Sequence, residues 1–86
     1  MYLEEVKQIV TDTLFLGPRG AELTAASPLL GALPELDSMA VVSLLGALEE
    51  RFGFMVDDYE ISASTFETLG SLAAFVEGKL AGQAGR

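Results

Sequence analysis

The sequence contains no cysteine, no histidine and no tryptophan. Without cysteine there is no disulfide framework, no thiol nucleophile and no thiolate metal site, and nothing marks an oxidising compartment. Without histidine the commonest general base and the commonest transition-metal ligand are gone, so self-contained catalysis is disfavoured before any motif is considered. Positive charge is scarce as well: 5 Lys and Arg stand against 13 Asp and Glu, a net charge of −8. Such a field repels phosphate backbones and attracts basic protein surfaces, which argues against nucleic acid as a partner. No apolar run approaches the ~20 residues needed to cross a bilayer. The start, Met1-Tyr2-Leu3-Glu4-Glu5, is acidic and amphipathic rather than basic and then apolar, unlike a signal peptide. Neither membrane insertion nor export is expected, and the cytoplasm is the default location.

What remains is material for one small helical domain. A chain of 86 residues has room for one core and no second module. Half of its residues are hydrophobic, enough to fill that core, although a domain of this size is only marginally stable. Four helical tracts are visible. Over residues 2–16, Leu3, Val6, Val10 and Leu14 recur at three- and four-residue steps, the stripe of a helix with one buried face, and Gly17-Pro18 would stop it. From Gly17 to Leu36, Gly17, Pro18, Gly20, Ser27, Pro28, Gly31 and Pro34 mark a long turn-rich connection, while Leu23, Leu29, Leu30 and Leu33 imply that it is pinned to the core.

The stretch from Ser38 to Phe52 predicts a second helix with Val41, Leu44, Leu45, Leu48 and Phe52 on its apolar face, closed by Gly53. Asp57-Asp58-Tyr59-Glu60 then lead through Ile61 to Phe66 into a short helical turn. Thr68 is placed to cap a last helix over residues 69–80 that carries Leu69, Leu72, Phe75, Val76 and Leu80 inward. Leu44, Leu48, Phe52, Leu72 and Phe75 are expected to meet the first helix through Val6 and Val10. The tail over residues 81–86 is expected to fray.

The enzyme motifs fail one by one. There is no phosphate loop of the Walker type, no Gly-x-Ser-x-Gly elbow and no histidine pair for zinc. Asp57, Asp58 and Glu60 lack the alternating ligands, central glycine and distal glutamate of a calcium loop, so no metal site is expected and the acids read as a solvated helix entry. Glu49 and Glu50 are adjacent and point to different azimuths on a helix, so they make no acid/base pair. What stands out is Leu33-Pro34-Glu35-Leu36-Asp37-Ser38-Met39, which sets Asp-Ser at the mouth of the most apolar helix. Either side chain could simply cap the first turn. A serine hydroxyl there is also well placed to hold a phosphate diester, because the free amides and the positive dipole end favour an anion. The position supports both readings.

At this point the chain resembles the acyl carrier protein family, from Leu3 to about Leu80. The family's Asp-Ser-Leu signature is similar to Asp37-Ser38-Met39, and Leu48-Glu49-Glu50-Arg51-Phe52 matches the acidic end of the helix that follows it. Phe66-Glu67-Thr68-Leu69-Gly70-Ser71-Leu72-Ala73-Ala74-Phe75 resembles the family's short third helix running into its last. The resemblance implies an all-α four-helix bundle over residues 1–80, with a long loop between helices 1 and 2 and a short third helix. It implies a non-catalytic, monomeric carrier. A phosphopantetheinyl transferase would attach 4'-phosphopantetheine from coenzyme A to Ser38 with magnesium, making a phosphodiester, and Asp37 would lie at the transferase contact. The distal thiol of that arm would hold acyl groups as thioesters, supplying the sulfur chemistry that the chain lacks. Partner docking would fall on Met39, Val42, Leu45, Gly46, Glu49 and Glu50, facing basic or apolar patches of an acyl-loading ligase or synthase and of acyltransferases.

Departures from the family pattern point to a specialised member. Housekeeping fatty-acid carriers usually place acids near the start of the second helix, where this chain has Ala40 and Ser43. Gly46 stands where a larger apolar residue is common, at a cost of about 1 kcal/mol of helix propensity against Ala. That glycine implies a closely approaching partner or neighbouring helix, or room for an acyl chain. Glu35 stands where many relatives have Gly. The wording Leu36-Asp37-Ser38-Met39-Ala40-Val41-Val42 resembles carriers found beside exopolysaccharide and protein-sorting loci. A specialised lipid, polyketide or exopolysaccharide-linked pathway is therefore the leading expectation. An aminoacyl or peptidyl carrier, and a helical adaptor with unmodified Ser38, are the alternatives.

Overall fold

The computed structural model describes residues 2–84. Three α-helices, α1 (Leu3–Thr13), α2 (Ser38–Phe52) and α3 (Leu69–Ala84), are joined through 3₁₀ segments at Gly17–Glu22, Asp58–Glu60 and Ala63–Phe66. The segment Ala63–Phe66 is the expected short third helix, held by a capping box in which Ser62 and Thr65 satisfy each other's backbone amides. Among the described residues strand pairing is limited to one isolated bridge, Pro28 to Thr68.

α1 has no side-chain cap, but Glu4 and Glu5 in its first turn complement the positive end of its dipole. Val6 and Val10 are fully buried along its inner stripe. The helix ends at Thr13, before the Gly17-Pro18 stop that the sequence offers, because Phe15 takes a left-handed backbone with φ 55°. A right-handed helix cannot pass through that conformation. The reversal turns both Leu14 and Leu16 into the core. Beyond it, Gly20 lies against α1 so closely that a Cβ would fall 2.7 Å from Thr11 Cβ.

The long connection is pinned as expected, and the pins are mainly backbone. Leu29 N and Leu30 N donate to Glu67 O and Phe66 O, both at 3.0 Å, while Leu69 N donates to Ser27 O at 3.0 Å and Gly70 N to Ala25 O at 2.8 Å. Leu29 and Leu36 are buried and Leu23 and Leu33 pack against the core, whereas the side chain of Leu30 is 44% exposed and contributes only its backbone. The chain turns at this point, Leu29 O accepting from Ala32 N at 3.2 Å and Leu33 N at 3.0 Å, and Leu30 lies on the outside of that turn.

α2 has the bounds that its local signals require. Asp37 caps its start, and Gly53, at φ 75°, closes it in the left-handed conformation that suits glycine, its N–H donating to Glu49 O at 2.8 Å. Leu44 and Leu48 are fully buried, and Val41, Leu45 and Phe52 lie partly buried on the same core. The Tyr2 ring meets the Phe52 ring edge-on at 5.6 Å, which sets the start of α1 beside the end of α2 and makes the two helices antiparallel.

α3 opens with a reciprocal cap: Ser71 N donates to Thr68 Oγ1, and Thr68 N to Ser71 Oγ, both at 3.0 Å. Leu69, Leu72, Ala73 and Val76 form its buried stripe. Phe75 was expected inward and is not in the core: it is half-exposed, while Val76, one residue and about 100° further round the helix, takes the inner position. The helix runs past the expected end at Leu80 to Ala84, into the tail expected to fray, of which residues 85–86 lie outside the described residues. Leu16, Phe54 and Phe66, which carry no helical periodicity, complete the core.

Candidate functional site

The start of α2 projects the residues that the sequence singles out. Leu36 is buried and anchors the approach, Asp37 is the N-cap, and Ser38 is the first helical residue. Asp37 Oδ1 accepts a hydrogen bond from Ala40 N at 2.8 Å, so the aspartate carries the capping function. Ser38 is exposed. The chain has 6 serines, and the hydroxyls of Ser27, Ser62, Ser64 and Ser71 are held in hydrogen bonds. Among the described residues no hydrogen bond engages the hydroxyl of Ser38 or Ser43, and of these two only Ser38 stands at a helix start.

Downstream on α2, Met39 (75% exposed) and Val42 (67%) form an outward apolar stripe, which Gly46 and Glu50 continue and Leu45 borders half-buried. A Cβ on Gly46 would meet nothing within 4 Å. No neighbouring helix of this chain approaches Gly46, which removes that explanation for the glycine. Of the two positions that lack the usual acids, Ser43 is exposed but Ala40 is half-buried against the core.

Several acids are committed to internal partners in ways that spacing does not reveal. Glu49, expected as a docking acid, is half-buried, and its Oε2 accepts from Val56 N at 2.8 Å, tying α2 to the connection after Gly53. Glu60 is not a freely solvated helix entry: its Oε1 accepts from Lys79 Nζ and its Oε2 from Asp57 N, each at 2.8 Å. The Lys79 hydrogen bond holds the Glu60 carboxyl below the usual glutamate range. The Lys79 ammonium also lies 6.0 Å from the centre of the Phe54 ring. At the other end of the molecule Arg19 donates to Glu35 and forms an ion pair with it, which lowers the Glu35 pKa and joins the first 3₁₀ segment to the turn before Ser38. This gives Glu35 a structural partner. No group of acids that could hold a metal occurs among the described residues, and no helix is long and apolar enough to cross a membrane.

The geometry thus presents a solvent-exposed hydroxyl at a helix start whose cap is supplied by its neighbour Asp37. The family model described as a phosphopantetheine attachment site matches residues 4–76. Among solved structures the chain is similar to a holo acyl carrier protein from Nitrosomonas europaea, determined in solution by NMR, at 64% identity and a TM-score of 0.88, covering 94% of this chain and 98% of that one. No curated protein matches. The chain belongs to the acyl carrier protein family, whose members are carriers and not enzymes and whose cofactor is covalently attached 4'-phosphopantetheine.

Proposed function

We propose that Ser38 Oγ is the attachment point of the phosphopantetheine arm and that the protein carries acyl groups for a specialised pathway. The observation that supports this most is the free hydroxyl of Ser38 at the first position of α2, directly after a cap that Asp37 alone supplies. The place fits the group: it is open to solvent, and the first-turn amides and the positive helix end favour the negative charge of a phosphodiester. When bound, the arm supplies a thiol on which acyl groups are held as thioesters. The chain's own residues do the rest. Ser38 Oγ provides the nucleophile to the transferase, Asp37 fixes the helix start, and α2 presents Met39, Val42, Leu45, Gly46 and Glu50 to partner enzymes. Glu49 acts indirectly, by holding the connection after α2. Exposed Ser43 without an acid, next to an apolar stripe, favours partners that dock less by charge than housekeeping fatty-acid enzymes do. Such a carrier works in the cytoplasm, served by an acyl-loading ligase or synthase and by acyltransferases.

The test is intact mass. Incubation with coenzyme A, magnesium and a broad-specificity phosphopantetheinyl transferase should add one arm to the parent and none to Ser38→Ala. An adduct on Ser27, Ser43 or Ser71, or none on the parent, would overturn the assignment.

A further inference from the structure

Phe15 is both strained and unpacked. Its φ of 55° makes it the one non-glycine position in the left-handed region among the described residues, a region where Cβ crowds the backbone and a bulky residue is an outlier. Its side chain is 90% exposed, more than any other large hydrophobic residue described. The turn itself has a structural purpose, since it sends Leu14 and Leu16 inward together. That purpose needs only the backbone, which glycine would supply without strain. The phenyl ring is therefore what the fold leaves unexplained, and residues that break local rules without a folding return concentrate where a protein meets something else.

Its location narrows what that is. Because α1 and α2 are antiparallel, the corner after α1 lies at the end of the bundle where α2 begins. Arg19, just beyond Phe15, pairs with Glu35, just before Ser38, joining the two segments. Phe15 thus flanks the end that presents Ser38, its ring beside a shallow hollow lined by Thr11, Asp12 and Gly17. An enzyme that forms a bond to Ser38 Oγ must cover this end directly, whereas enzymes acting on the distal thiol need not. A second copy is a poor occupant, because two surfaces of a chain carrying −8 repel each other.

We propose that Phe15 is a docking anchor for the phosphopantetheinyl transferase, its ring entering an apolar socket whose rim carries a basic group facing Asp12. This rests on the assignment of Ser38. In the transfer, Ser38 Oγ bonds to the phosphorus that bears the pantetheine, the pyrophosphate P–O bond breaks, the nucleotide half of coenzyme A leaves with the electron pair, and the serine proton passes to the transferase. Phe15 takes no part in those bonds and acts only on binding.

The test pairs transfer kinetics with thermal melting for the parent, Phe15→Gly and Phe15→Leu. Phe15→Gly should melt at or above the parent temperature, because the strain is relieved, while kcat/KM for arm transfer falls about tenfold, mostly through KM, as expected for loss of a contact of about 1.4 kcal/mol. Phe15→Leu, which keeps an apolar side chain, should retain most of the transfer rate. Unchanged transfer to Phe15→Gly, or a melt several degrees below the parent, would overturn the proposal. So would a parent dimer in sedimentation that Phe15→Gly dissolves, since the ring would then serve self-association. If the parent itself gained no arm, the Ser38 assignment would fall first and this proposal with it; if the parent and Phe15→Gly were modified alike, only this proposal would fall.

Discussion

Replacing Asp37 and Ser38 in turn separates the cap from the proposed attachment site. Asp37 Oδ1 takes the hydrogen bond from Ala40 N, whereas the Ser38 hydroxyl has no partner among the described residues. Removing an N-cap side chain costs about 1 kcal/mol within a range of about 0.5–2, and about 1 kcal/mol corresponds to about 4–8 °C in the melting temperature of a domain this small. Asp37→Ala should therefore melt about 4–8 °C below the parent. Ser38→Ala loses no hydrogen bond and should stay within about 0.5 kcal/mol, as exposed substitutions do. Asp37→Asn keeps a capping oxygen of nearly equal quality and should melt like the parent, yet it removes the carboxylate that the family resemblance places at the transferase contact. Circular-dichroism melts of the four proteins, with arm transfer followed by intact mass, give the two readouts. A Ser38→Ala melt as low as that of Asp37→Ala would show that Ser38 is the cap, and an Asp37→Ala melt equal to the parent would refute the capping bond.

Leu48 is fully buried, so Leu48→Ala should cost about 2–5 kcal/mol, while half-exposed Phe75 should tolerate the same change far better; equal melts for the two variants would refute the placement of Val76 rather than Phe75 in the core. Gly46→Ala should stabilise by about 0.5–1 kcal/mol, because the added Cβ meets nothing and the helix gains propensity. If partner enzymes also use Gly46→Ala as well as the parent, no partner approaches that position closely. Glu60, held below its ordinary pKa by Lys79, stabilises the fold above the ordinary glutamate range, and this stability is lost as pH falls through the depressed folded value. The melting gap between the parent and Lys79→Met should thus be present at neutral pH and close in acid; a gap that widened on acidification would refute the Lys79–Glu60 link.

The linear sequence by itself determined the helices and their buried faces. Val6 and Val10, Leu44 and Leu48, and Leu69, Leu72 and Val76 declare their faces through spacing alone. The bounds of α2 follow from Asp37 and Gly53, because capping is a matter of a few neighbouring residues. The presence of a serine at the start of α2 was legible for the same reason, whereas its reading as an attachment point came from the family resemblance. Only the tertiary structure decided which loop residues complete the core, with Leu29 buried and Leu30 exposed, because the strap from Ala25 to Leu30 finds its hydrogen-bond partners at Phe66 to Gly70. It also decided that Glu49 and Glu60 are held internally, that Glu35 answers Arg19, and that Phe15 rather than Gly17 turns the chain after α1. Each of these depends on what the rest of the chain brings alongside, through contacts that helical spacing and local propensity do not encode.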